Sequence, residues 1–233
     1  FDNFQISKRY NYSKKSFNLK GFINLTNSKV QILKLNYIKN QGEESKINFN
    51  INFILDNIYH IKKLNFLAGK NKILLQGIKL NKNFEVEDLK NLEIKTYLKG
   101  NKNNDFIVSK NKKIVISGKV FDAQYLLKSL YKKSEKKTFS KNFNSEIKIN
   151  FNKAITGTND DVSDFAMVAS IKKGSYSKLS LKGNFSDKEI VEMSIYQIDK
   201  DKKTLQVISD RARPFVKNFD FIKGFEGGKL EYE

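Results

Sequence analysis

Hydrophobic residues in this chain recur at every second position, and that period constrains the fold more than any other feature. Ile47, Phe49, Ile51 and Phe53 alternate with Asn48, Asn50 and Asn52, and Ile147, Ile149 and Phe151 alternate with Lys148 and Asn150. Phe165, Met167, Ala169 and Ile171 share one parity, as do Val191, Met193 and Ile195 around Glu192 and Ser194. A strand points successive side chains to opposite faces, so each run carries one apolar face and one wet face. Looser runs near 17–25, 30–38, 73–80, 92–98, 106–108, 114–120, 179–185 and 205–208 bring the count to roughly a dozen strands. Turn formers separate them at 40–42, 99–104, 172–175 and 199–202. Regular strands on short polar turns predict a mainly β fold, an antiparallel meander rather than alternating βαβ units.

Two stretches break the rhythm. After Asp122, apolar residues fall at Ala123, Leu126, Leu127, Leu130 and Tyr131; after Asp210, at Ala212, Phe215, Val216 and Phe219. Both read as short amphipathic helices with an aspartate N-cap, near 122–131 and 211–219. A strand precedes each, so strand plus helix repeats faintly about 90 residues apart. The expected division is a strand-rich module over 1–131, a Lys-rich connection over 132–141 and a second module over 142–233, both parts of one continuous sheet.

Composition narrows the chemistry. With no cysteine and a single histidine, His60, the chain lacks the usual zinc ligand sets, disulfides and thiol nucleophiles. No nucleophile motif surrounds a serine. The acidic stretch Asn159–Asp164 lacks the spacing and distal Glu of a calcium loop and reads as a polar loop before a strand. The glycines at 224–228 follow a helix instead of opening one, so they suit a helix stop better than a phosphate cradle. The expectation is a non-enzymatic protein without cofactor or metal.

Forty-four Lys+Arg against 25 Asp+Glu give +19, yet only Arg9, Arg211 and Arg213 are arginine. Bidentate phosphate and base recognition favours arginine, so the charge is attributed to a Lys-rich coding bias and no nucleic-acid partner is expected. No stretch approaches the roughly 20 apolar residues of a membrane-spanning helix. The sequence also opens at Phe1 in mid-pattern, which predicts a fragment with any anchor or export signal outside it.

The C-terminal third carries a resemblance. The run Thr204–Val216 leads to Phe219 and then to Gly224-Phe225-Glu226-Gly227-Gly228-Lys229-Leu230, a strand, an acidic-cap short helix and a Gly-Gly-x-Leu return. Leu179–Phe185 with Gly183 suits a strand ending in glycine, and Phe121–Leu127 matches an Asp-x-x-x-Leu-Leu helix. Over roughly 114–233 these features resemble the AsmA-like C-terminal region; residues 1–113 agree in strand rhythm only. Arg211 and Arg213 with Pro214 depart from the small residues more usual there. The resemblance implies an elongated, curved antiparallel sheet, groove-like and repeat-built, of the YhdP and TamB types of bridge-like lipid transfer protein. Such a groove is periplasmic, anchored in the inner membrane outside this fragment, and passes phospholipid toward outer-membrane components.

Apolar burial independently permits that role. Two short helices cannot cover a dozen strands, so phospholipid acyl chains are expected over the exposed apolar faces. The candidate groove residues are Ile147, Ile149, Phe151, Phe165, Met167, Ile171, Val191, Met193 and Ile195. A sealed structural β-solenoid or sandwich, and a basic nucleic-acid-binding sheet, remain open alternatives.

Overall fold

The computed structural model describes residues 3–54, 58–130, 143–199, 202–216 and 228–233. The chain is mainly β and divides into two compact units, Phe1–Asn111 and Lys112–Glu233. The division falls before the strand that opens the second unit, where the sequence reading broke the chain after the first helix. That strand pairs with the one that follows the helix, a pairing that sequence period cannot reveal. The predicted Lys-rich connection at 132–141 lies outside the described residues.

The first unit contains β1 (Phe4–Asn11), β2 (Ser16–Asn24), β5 (Ser45–Ile54), β6 (Ile58–Ala68), β7 (Asn71–Leu80), β8 (Val86–Leu98) and β9 (Asn101–Lys110), each antiparallel to the next. Between β2 and β5 the chain leaves this order to form a small hairpin, β3 (Val30–Ile32) and β4 (Tyr37–Lys39), joined by a single 3-10 turn at Leu33–Leu35. Lys99 and Gly100, both at positive φ, make the two-residue turn from β8 to β9. That conformation matches the right-handed twist of the flanking strands.

Irregularities line up across the unit. Register shifts sit between Asn50 and Ile51 in β5, and in β8 between Leu89 and Leu92. Between them Gly77 of β7 stands at φ +63, where a Cβ would come within 2.9 Å of the Lys90 Cβ. Bulges bend strands and raise their twist. Here they curve the strands of this unit while keeping the apolar parity on one face.

The second unit contains β10 (Lys113–Asp122), β11 (Ser145–Ile155), β12 (Val162–Lys172), β13 (Ser175–Asn184), β14 (Ile190–Gln197), β15 (Lys203–Ser209) and β16 (Leu230–Tyr232). All neighbours are antiparallel except β10 and β11, which run parallel. A parallel pair requires a crossover, and helix α1 (Gln124–Leu130) lies within it. The helix therefore belongs to the interior of this unit and does not close the preceding one.

Asp122 caps α1 as its sequence position predicts: the Gln124 amide donates to its Oδ1 at 3.2 Å. The second helix, α2, is observed over Arg213–Val216; residues 217–219 of the predicted span lie outside the described residues. Asp210 does not cap it. Its Oδ2 instead accepts the Ile190 amide at 2.9 Å, and its Oδ1 meets Lys229 Nζ at 2.8 Å, so it pins the start of β14.

Candidate apolar binding faces

Directly paired residues in a sheet project to the same side, so the registers assign every side chain to a face. In the second unit, Ile116, Ile149, Met167, Leu181, Met193 and Val207 form one row across β10 to β15. Ile114, Ile147, Ala169, Leu179, Ile195 and Leu205 form the row beside it. Phe151 pairs with Phe165, and Val191 with Gly183, toward the other rim. All nine sequence-predicted groove residues thus lie on one apolar face.

Their environments differ. Ile147, Phe151, Ile171 and Val191 are buried, at 2–7% exposure. Ile147 and Ile171 join Ala169 and Leu179 in a cluster at one rim, with Phe143 packed on it. Val191 joins Ala154 and Val162 at the other, against Phe165, Phe185 and Phe215 of α2. Gly183 is required there, because the Val162 Cγ1 occupies a point 2.3 Å from where its Cβ would be. Between the two rims, Ile149, Met167, Leu181 and Met193 are half-buried and pack against the first of these clusters. Among the described residues each strand makes its main contacts with its lateral neighbours.

An ion cluster fastens α2 at its rim. The Arg211 guanidinium donates to Asp160 Oδ1 at 2.8 Å and, through Nε (3.0 Å) and Nη2, to Glu189 Oε2, while its plane lies over Phe185. Arg213 Nε stands 3.8 Å from Asp160 Oδ2. Residues 159–161 are therefore a polar loop, as read, whereas Val162–Asp164 already belong to β12, and the loop has an anchoring role that its sequence did not disclose. Hydrogen bonds from Arg211 and Ser186 hold the Glu189 carboxyl below its usual range, and Lys229 does the same for Asp210. Depressed carboxylates stabilise the fold above their unfolded pKa, and that contribution is lost as pH falls through the folded value. Arg211→Met is accordingly expected to lower the midpoint of thermal unfolding at pH 7 and to flatten its decline below about pH 4.5. Melting curves at pH 7, 5 and 3 check this, and a parallel shift at all three would contradict it.

The first unit carries a second, wider apolar face that the sequence reading did not assign as a site. Four rows cross its strands. The first runs Phe4, Ile23, Ile47, Phe66, Ile73, Ile94 and Phe106, and the next Ile6, Gly21, Phe49, Leu64, Leu75, Leu92 and Val108. Beyond them lie Leu19, Ile51, Ile61, Ile78 and Leu89, then Tyr10, Phe17, Phe53, Tyr59, Leu80 and Val86. The alternation Ile47 to Phe53 signalled this face. Its register partners, spread over six other strands, could not be paired from sequence.

The β3–β4 hairpin plugs one rim of this face. Tyr37, 1% exposed, sits edge-on to Phe66, with Ile47, Ile73, Val30 and Ile32 around them. Lys39 is wholly buried, and its Nζ donates to the carbonyls of Leu25, Thr26 and Ser28 at 2.6, 2.8 and 2.7 Å. Asn104 and Asn103 donate to the Leu35 carbonyl at 2.7 and 3.2 Å, tying the hairpin to β9. Away from the plug, the row from Phe49 to Val108 is half-exposed on every strand.

Burial, and secondarily the Glu43 charge, pushes the Tyr37 hydroxyl up to about 12. A raised folded pKa gives stability that is complete below the unfolded value near 10 and is lost as pH rises toward 12. Alkaline unfolding of this unit is expected within that window, and Tyr37→Phe is expected to remove the slope. Urea midpoints between pH 9 and 12 provide the measurement.

The opposite faces are wet. His60 stands there in register with Asn52 and Lys79, its pKa lowered by burial and then by the Lys79 and Lys62 charges. A shallow depression of about 140 Å³ lies on the wet side of the second unit, lined by Lys182, Glu192, Ser194 and Gln206. No helix among the described residues is long and apolar enough to cross a membrane. No family model, curated protein or solved structure matches the chain.

Proposed function

We propose that this chain is a segment of an AsmA-like envelope protein whose apolar sheet faces hold phospholipid acyl chains in passage between inner and outer membranes. The observation that carries this reading is the continuous apolar row, half-buried on each strand, that crosses each unit from Phe49 to Val108 in one and from Ile116 to Met193 in the other. A soluble protein rarely leaves a contiguous apolar band uncovered unless it meets an apolar partner. Every methylene that an acyl chain buries on such a band contributes about 0.8 kcal/mol, and headgroups stay in water. Binding of this kind needs shape and apolarity more than fixed polar contacts. Lipids can then move from site to similar site without a catalytic group, and the proposed activity is transport rather than catalysis.

The test uses vesicles containing phosphatidylethanolamine with an environment-sensitive fluorophore on one acyl chain. The reading predicts that the added chain extracts the probe and shields the fluorophore from an aqueous quencher. Unshielded probe at saturating protein would contradict it. The sealed structural alternative predicts that second outcome.

A further inference from the structure

We infer that the first unit orients its lipids: acyl chains run along the strands with their methyl ends toward the β3–β4 plug, and headgroups ride the opposite rim. This rests on the lipid reading above and adds a direction to it. Three observations carry it.

The plug closes the face with apolar side chains, while Lys34 stands exposed in its turn. Tyr37 and Phe66 seal it with apolar surface, and Lys39 already has its ammonium protons committed to three carbonyls. A phosphate brought against Tyr37 and Phe66 would lose water without gaining a partner.

The opposite rim is built differently. Phe17 and Phe53 stack at 4.4 Å, Phe53 meets Tyr59 edge-on at 5.6 Å, Tyr59 stacks on Phe84 at 4.7 Å, and Tyr10 meets Tyr12 edge-on at 4.6 Å. Toward the plug the half-exposed row is largely aliphatic: Leu64, Leu75, Leu92 and Val108. Aromatic side chains collect where hydrocarbon meets water, because a ring can present an apolar body and a polarisable or hydroxylated edge. Cations accompany this belt. Lys8 Nζ lies 5.0 Å from the Phe17 ring centroid on the apolar face, and Lys14 and Lys15 are exposed in the adjoining turn. Phe84, 65% exposed at its tip, stands outermost.

The span also fits. Ile47 beside the plug and Phe53 in the belt are separated by six residues of one strand, about 20 Å at ~3.3 Å per residue. One leaflet of hydrocarbon is about 15 Å, half the ~30 Å bilayer core. A tail laid along the strand therefore covers about three quarters of the way from belt to plug, whereas a tail laid across the strands would leave its headgroup among Leu64, Leu75 and Leu92.

Two photoactivatable phosphatidylethanolamines test the inference, one with a diazirine at the methyl end of an acyl chain and one with a diazirine on the headgroup. After loading from vesicles and illumination, peptide mapping gives the attachment points. The expected result is methyl-end labelling on Ile32, Leu35, Ile47 and Ile73, and headgroup labelling on Tyr12 and 81–86. Each probe should favour its own rim by about tenfold or more, the factor that a ~1.4 kcal/mol preference produces. Loaded lipid that labels both rims equally with both probes, or in the reverse sense, overturns the orientation and leaves the lipid reading standing. A chain that takes up neither probe overturns both.

Discussion

Aspartate at Ile149 or Met193 is expected to weaken acyl-chain binding to the second unit by roughly 30-fold, about 2 kcal/mol. That figure corresponds to two or three methylenes denied their apolar contact at about 0.8 kcal/mol each. Both residues lie in the half-exposed row, paired with Met167 and with Leu181 and Val207 respectively. A carboxylate there keeps part of its hydration in the empty protein, so the fold is retained, and loses it only when a tail lies down. Lys148→Asp and Glu192→Lys, one residue away on the wet face, should leave binding unchanged. Titration with a fluorescent fatty acid reads the effect, and far-ultraviolet circular dichroism confirms that all four variants fold as the parent. Unfolding of both aspartate variants would mark the row as a sealed core, and unchanged binding in all four would remove the trough.

The largest stability effect is expected at Lys39. Methionine preserves most of its stem but leaves the carbonyls of Leu25, Thr26 and Ser28 without their donor. A buried polar group left unsatisfied costs about 1–3 kcal/mol, and relief from burying a charge offsets part of the total. A net loss of about 3 kcal/mol lowers the melting midpoint of the first unit by roughly 10–20 °C. Lys39→Arg is no rescue, because a planar fork cannot point its donors at three carbonyls gathered around one nitrogen. Calorimetry of the full chain should show one transition moving and the other holding. Displacement of less than about 3 °C would mean that the plug contributes little to the unit it closes.

Period two carried most of what was legible. It located the strands and grouped all nine predicted groove residues on one face, because antiparallel neighbours with clean parity have few other registers that bury their apolar sides. Long-range polar capture was not legible. Asn101-Lys102-Asn103-Asn104 has the composition of a turn, yet only Lys99 and Gly100 turn, and Asn103 and Asn104 are buried in β9 donating to Leu35. Local propensity yields there to partners nearly seventy residues away. Lys39 reads from sequence as one more solvated lysine, and only the surrounding carbonyls make it structural. Asp160 and Arg211 are 51 residues apart, and no local pattern announces their pairing. The parallel step from β10 to β11 escaped for a related reason: alternation along a strand reports its faces and says nothing of its neighbour's direction.

The proposed role of the faces makes the two units alike in chemistry and different in finish. One has aromatic edges and a plug locked by a lysine; the other has aliphatic rows and a short helix held by an arginine. Both carry a continuous apolar row of half-buried side chains. Native mass spectrometry of the full chain, purified without detergent from cells with ordinary phospholipids, addresses the central claim most directly. The account predicts adducts at phospholipid masses that survive gentle activation, diminish in Ile149→Asp and Met193→Asp, and persist in Lys148→Asp and Glu192→Lys. A parent protein that appears only at its bare mass, and stays bare after incubation with vesicles, would contradict it.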